Sequence, residues 1–206
     1  MVRIIICLIL GYVFGCFSTG YFVGKWNHID IRNYGSGNSG TTNALRTLGF
    51  KAAVFTFLGD TIKAIIPIML VRYLFPASKG ELQLLLLYTG LGAVLGHNYP
   101  VWLRFRGGKG IAATAGVMLA FDWRFGLAAA ILFFTIVGIT RYVSLGSLAL
   151  SSLFPIGILI FYPGNVHMLI ISLIFTILAY VKHRENIVRL IHGKERKLGE
   201  KVDINK

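Results

Sequence analysis

Residues able to do chemistry fall into three polar stretches of this 206-residue chain, each set against a long apolar run. The first, Asn33 to Arg46, holds Gly35, Gly37 and Gly40 among Ser36, Asn38, Ser39, Thr41, Thr42 and Asn43. Glycine at near-alternate positions lets the backbone take positive φ and turn its N–H groups towards one point. Thr41, Thr42 or Asn43 can cap a following helix, whose N-terminal dipole favours negative charge, and Arg46 adds a fixed positive fork. The chemistry implied is anion binding. A polar interhelical turn ending in a helix cap is the alternative.

The second stretch, Gly96 to Gly110, contains His97, Asn98, Arg104, Arg106 and Lys109. Gly107, Gly108 and Gly110 open backbone N–H groups around Lys109 at the start of a helix, which suits a phosphate. The same residues also read as a surface loop extending three cations to lipid headgroups. Neither stretch is a nucleotide loop: Walker A requires Lys followed by Ser or Thr after its second glycine, whereas Gly40 precedes Thr41 and Lys109 precedes Gly110.

The third stretch runs from Lys182 to Leu190. If helix continues through it, His183 and Asn186 share a face and can meet one ligand, with Arg189 a turn further on. A surface amphipathic tail is the other reading. Ser144, in a short turn with Arg141 and Tyr142, can add a donor. Asp60 and Lys63, three apart in an apolar run, read as a structural ion pair near the inner interface. Carboxylates and histidines form no ligand set, so neither a metal nor a cofactor is expected.

The elements that must position these residues are membrane spans. The chain is 55% hydrophobic with a mean hydropathy of +0.70, and 14% of it is charged, against roughly a quarter in soluble domains. Apolar runs long enough to cross a bilayer, about 20 residues each, lie near 4–24, 52–75, 82–98, 126–140, 144–162 and 166–182. A seventh, at about 110–121, is short and tolerable only if protein or water covers its ends. The expected fold is all-α and integral to the membrane, one polytopic domain over 1–206, with a basic cytoplasmic tail from about 183 to 206.

Charge tests the count. Seven crossings with the N-terminus outside put Lys25, Arg32, Arg46, Lys51, Arg104, Arg106, Lys109, Arg141 and the tail cations, Lys201 and Lys206 among them, on the inner side. Only Arg3, Arg72, Lys79 and Arg124 fall outside. The net charge of +13 fits anionic lipid and anionic substrates, and no soluble domain exists to carry a nucleic-acid groove. Gly11 and Gly15, like Gly92 and Gly96, are spaced for close helix contact, and Cys7 and Cys16 read as packing residues.

The run Gly35 to Arg46, then Gly96 to Pro100 with Arg106 to Gly110, then His183-Arg184-Glu185-Asn186, resembles the three signature motifs of the acyl-phosphate:glycerol-3-phosphate acyltransferases, the PlsY family. The resemblance is ordered and spans nearly the whole chain. Cys16, where the family commonly has serine, is one departure. The chain also lacks the His-x4-Asp motif of acyl-CoA-dependent acyltransferases: none of its five histidines precedes an aspartate by five positions.

That resemblance implies a seven-helix enzyme of the bacterial inner (plasma) membrane whose site faces the cytoplasm. It would make 1-acyl-glycerol 3-phosphate from acyl phosphate and glycerol 3-phosphate, in the first step of phospholipid synthesis. Ser36, Gly37, Asn38, Gly40, Thr42 and Asn43 are expected on the acyl phosphate. Arg46, Lys109, Ser144, His183 and Asn186 are expected on glycerol 3-phosphate, with His183, Asn43 and Ser36 nearest the chemistry. The rival class is a small carrier or phosphate-binding membrane protein that uses the same helix termini without chemistry.

Overall fold

The computed structural model describes residues 1–200, and its regular structure there is helical. In chain order the helices are α1 (Val2–Cys16), α2 (Thr19–Trp26), α3 (Thr41–Leu48), α4 (Phe50–Leu74), α5 (Lys79–Asn98), α6 (Ile111–Phe121), α7 (Trp123–Thr140), α8 (Val143–Phe161), α9 (Val166–Lys182) and α10 (Arg184–Ile191). Short 3₁₀ turns at Ile31–Asn33 and Val101–Leu103 sit in the two glycine-rich loops. The tail charges Lys201 and Lys206 lie outside the described residues.

The first apolar run is broken at Phe17 and Ser18, where Phe17 takes an extended conformation (φ −62°, ψ 118°). The break frees a helix-terminal carbonyl that must be satisfied inside an apolar environment, and Lys63 of α4 donates to Phe17 O. Glycines allow α1 and α5 to pack backbone to backbone. A Cβ at Gly11 or Gly15 would fall on the carbonyls of Thr89 or Ala93, and one at Gly92 or Gly96 on those of Leu8 or Tyr12. The same pairs show that α1 and α5 run parallel.

The other contacts fix the remaining directions. The connection from α4 to α5 is four residues, Phe75 to Ser78, and Lys63 meets His97, so these two are antiparallel. Thr61 Oγ1 donates to Ala112 O and Arg72 to the carbonyls of Ala120 and Phe121, so α6 runs parallel to α4. Tyr88 meets His167, and Lys182 Nζ meets Asn98 O, so α9 is parallel to α5. Gly146 packs on Val137 and Gly157 on Phe125, so α7 and α8 are antiparallel.

At 11 residues α6 is about 16 Å long, roughly half the hydrocarbon thickness. Its C-terminal carbonyls are covered by the Arg72 guanidinium, at 2.6 Å from Ala120 O and 3.0 Å from Phe121 O. Arg72, expected on the outer side, thus closes a helix end. Phe121, Phe125, Phe154 and Phe175 form the aromatic centre of the core, mostly edge to face. Cys7 and Cys16 are buried free thiols, as packing residues should be. Ile5, Ile9, Phe55, Ile131, Phe134 and Ile177 are among many exposed large apolar side chains, the surface expected of a protein solvated by lipid.

By length and apolar content, Val2–Trp26, α4, α7 and α8 can each cross a bilayer, and α9 with α10 makes a fifth candidate bent by 64°. The seven-crossing expectation goes beyond this measure. α5 is long enough but glycine-rich and polar at its ends, and α6 is short. Within the tail, the segment ending at 200 packs back on the bundle, with Leu198 N donating to Arg141 O (2.7 Å) and Arg141 Nη2 to Leu198 O (2.8 Å).

Candidate functional site

All three polar stretches meet at one end of the bundle. The first loop is shaped by Asn43, which is buried in the first turn of α3. Its Oδ1 accepts from Ser36 N (2.8 Å), while its Nδ2 donates to Ile31 O and Tyr34 O (both 3.0 Å). Gly35 (φ +65°) must be glycine, because a Cβ there would strike Asn43 Oδ1. Asn38 Oδ1 accepts from Gly40 N (2.9 Å), an Asx turn that starts α3.

One expectation is corrected here, and two expected ligand residues are given their places. The helix cap falls on Gly40, with no side-chain capping bond, so Thr41, Thr42 and Asn43 lie inside the first turn of α3. Asn43, expected among the groups touching the donor, spends its amide on the loop. Gly37 lines a second cavity on the far side of the loop, away from Ser36 and Asn38.

The second loop is held by His97. Gly108 N donates to His97 O (3.0 Å) and Gly107 N to Asn98 O (3.3 Å), and a Cβ on Gly108 would collide with the imidazole. Gly110 (φ +84°) then opens α6 with no side-chain cap. Lys109, between these glycines, reaches Asn186 and donates to its Oδ1.

The third stretch is not a continued helix. Helix α9 ends at Lys182, His183 stands at the 64° bend, and Asn186 lies in the first turn of α10. Both side chains are nevertheless buried. Asn186 is organised by Glu195, which sequence reading missed because it stands in a basic tail outside the three polar stretches. Glu195 Oε1 accepts from Asn186 Nδ2 (2.7 Å) and Ser144 Oγ (3.0 Å), and Oε2 accepts from Arg189 Nε (2.8 Å). Arg46 reaches the same segment, donating to Arg196 O (3.3 Å).

A cavity of about 400 Å³ lies where these groups converge. Gly35, Ser36 and Asn38 form one wall, Arg46 and Lys109 flank it, and Arg184, Arg189 and Glu195 stand opposite. Burial, with Arg189 and Arg46 nearby, draws Lys109 down to about 8, partly offset by Glu195 and Glu185. Burial and the Lys109 charge draw His183 down to about 4. Its Nδ1 faces Ala179 O at 2.8 Å and must donate there, which leaves Nε2 as the basic nitrogen of a neutral ring. Burial disfavours an ionised Glu195, but its bonds from Arg189, Asn186 and Ser144 outweigh that and hold the carboxyl below its ordinary value.

Fold and site together define a class: an all-helical integral membrane protein with a cationic, glycine-walled cavity at one end of its bundle. Residues 5–193 match the glycerol-3-phosphate acyltransferase family, and the chain belongs to that family. It is 42% identical over 201 residues to the glycerol-3-phosphate acyltransferase of Thermoanaerobacter pseudethanolicus, covering 97% of this chain and 98% of that one. To the enzyme of that name from Prochlorococcus marinus (strain NATL1A) it is 38% identical over 200 residues, covering 95% and 98%. The crystal structure of PlsY (YgiH), an integral membrane glycerol 3-phosphate acyltransferase, in its glycerol 3-phosphate form, superposes with a TM-score of 0.85 at 35% identity, over 95% of this chain and 96% of that one. The lysophosphatidic acid form gives 0.83 at 34% identity, over 96% of each.

Proposed function

We propose that this chain transfers a fatty acyl group from acyl phosphate to the 1-hydroxyl of glycerol 3-phosphate, releasing 1-acyl-glycerol 3-phosphate and inorganic phosphate. One observation carries the reading: a single cavity shared by Gly35, Ser36 and Asn38 and by Arg46, Lys109 and helix α10. Two phosphate-bearing substrates need two sets of cationic or N–H donors within reach of one reacting carbon, and this cavity supplies both.

The acyl phosphate belongs against Ser36, Asn38 and the open N-terminus of α3, where Gly40 leaves the first N–H groups uncapped by any side chain. Thr42 lies in that first turn. Arg46 and Lys109 supply charge to glycerol 3-phosphate, with Asn186 and Ser144 held in place by Glu195. The hydroxyl oxygen attacks the acyl carbon, the acyl–phosphate C–O bond breaks, and the hydroxyl proton leaves on the departing phosphate. A His183 that ionises only near pH 4 is a weak base, which favours the phosphate as acceptor.

The alternating directions of α1 with α2, α4, α5, α6, α7, α8 and α9 support a single domain of seven crossings, N-terminus outside, in the bacterial inner membrane. The basic end with the site then faces the cytoplasm. Cysteines placed at Lys79 and Lys194 should label from opposite sides of sealed vesicles, and same-side labelling would overturn this topology.

The test of function uses purified chain with palmitoyl phosphate or palmitoyl-CoA. Phosphate release that requires glycerol 3-phosphate, with lysophosphatidic acid formed only from the phosphate donor, is expected. Equal use of the thioester would remove the donor assignment, and anion flux in proteoliposomes without product would turn the reading to a carrier.

A further inference from the structure

The Gly35–Gly40 loop has a second cavity behind it, of about 430 Å³, which the acyl-transfer reading does not use. Asn33 and Gly37 line it, whereas Gly35, Ser36 and Asn38 line the first cavity, so one thickness of peptide separates the two. We propose that this second cavity is a binding site for the phosphate-bearing headgroup of an anionic membrane phospholipid.

Three arginines line it: Arg32, Arg104 and Arg106. Arg32 is fixed in place: Asp30 takes its Nε (3.0 Å) and Nη2 (2.8 Å), Nη1 lies 3.4 Å from Leu103 O, and the group sits 4.9 Å from the Tyr21 ring centroid. Arg104 and Arg106 form no ion pair among the described residues. Two uncompensated guanidinium groups beside a fixed third make a phosphate site by charge and by forked geometry.

The backbone is bent to present them. Arg104 (φ 55°) and Phe105 (φ 60°) are consecutive non-glycine residues in the left-handed region, an arrangement that sequence disfavours and that surrounding bonds must enforce. Phe105 N and Leu103 N both donate to Pro100 O (3.0 and 3.1 Å), and Arg106 N donates to Leu103 O (3.1 Å).

A lipid, in preference to a free anion, follows from the rim. Val101, Trp102 and Phe105, on the same short turn, are 49%, 57% and 58% exposed. Large apolar side chains interleaved with arginines are the composition of a membrane–water interface, with rings at headgroup depth and cations on the phosphates. Acyl tails can lie along that rim while the headgroup enters between the arginines. Binding here does not depend on which acyl donor the other cavity takes.

The test reads Trp102 fluorescence in the full chain, with Trp26 and Trp123 replaced by phenylalanine, in phosphatidylcholine vesicles. Brominated phosphatidylglycerol should quench Trp102 several-fold more than the same mole fraction of brominated phosphatidylcholine. R104Q/R106Q should bring the two quenchers to parity, while R104K/R106K keeps part of the preference. Equal quenching in the parent protein overturns the site, and needs no arginine variant to fold. The same preference at a protein retaining only Trp26 would reveal general surface attraction and overturn a discrete site. Relief of quenching by millimolar inorganic phosphate, without a lipid preference, would assign the cavity to a free anion.

Discussion

Lys63 Nζ and His97 Nδ1 are joined by a 2.9 Å hydrogen bond inside the bundle, with Lys63 donating. Asp60 Oδ1 lies 2.8 Å from the same ammonium, and all three side chains are almost completely buried. Lys63 also satisfies Phe17 O at the α1–α2 break, and His97 holds Gly108 through its carbonyl and its ring. A buried charge cluster thus ties the broken first span, α4 and the Lys109 loop together. The sequence expectation of an Asp60–Lys63 ion pair was correct, but its third member and its two attachments come from other helices.

Removing one partner strands the other in a medium of low dielectric. Lys63→Met should therefore destabilise the fold by about 3–5 kcal/mol, and Asp60→Asn combined with Lys63→Met should recover much of that loss. Unfolding in denaturing detergent, run as a double-mutant cycle, measures both. Strict additivity of the two single changes would mean the pair is not coupled.

Asn43 is placed to brace the loop. Asn43→Ala should raise KM for acyl phosphate and speed amide exchange over residues 34–40, since three hydrogen bonds, worth about 1 kcal/mol each, are lost. A fall in kcat alone, with loop protection intact, would instead give Asn43 a part in the chemical step.

Gly108→Ala should act at a distance on the acceptor. With no room between its Cβ and the His97 ring, the loop must shift and carry Lys109 away from Asn186. KM for glycerol 3-phosphate should rise at least tenfold, with a smaller change in KM for the donor. An unchanged acceptor KM would show that Lys109 does not serve that substrate.

The pH profile follows from two buried bases. Lys109, drawn down to about 8, loses its charge above that value, so kcat/KM for glycerol 3-phosphate should fall about tenfold per pH unit there. His183, drawn down to about 4, stays neutral from pH 5 upwards. An inflection near the ordinary imidazole value of about 6.5 that disappears in His183→Gln would overturn its neutral assignment.

Glu195 supplies a stability signature. Its folded-state carboxyl titrates below its unfolded value, so its contribution is complete above the unfolded value of about 4.3 and is lost as pH falls through the folded one. Glu195→Gln should cost about 1.5–3 kcal/mol at neutral pH, the range for hydrogen bonds to a charged group, and the gap to the parent should narrow below pH 4. A gap constant with pH would mean the carboxylate is not what Asn186, Ser144 and Arg189 hold.

The sequence by itself determined that the chain is helical and lives in a membrane, because apolar length and the scarcity of charge are properties of composition along a line. It also marked where anion binding is expected, because Gly35, Gly37, Gly108 and Gly110 mark loops that only small residues permit, and because Arg46, Lys109, His183 and Asn186 stand out against apolar runs. Only the tertiary structure decided which of these groups face one another. Asn43 bonds within its own loop, Gly37 lines a different cavity, Arg72 covers the end of α6, and Glu195 gathers Asn186, Ser144 and Arg189. Each of those outcomes is set by a backbone carbonyl, amide or charge contributed from elsewhere in the chain. Local spacing encodes what a residue can do, and long-range packing selects the partner that lets it do so.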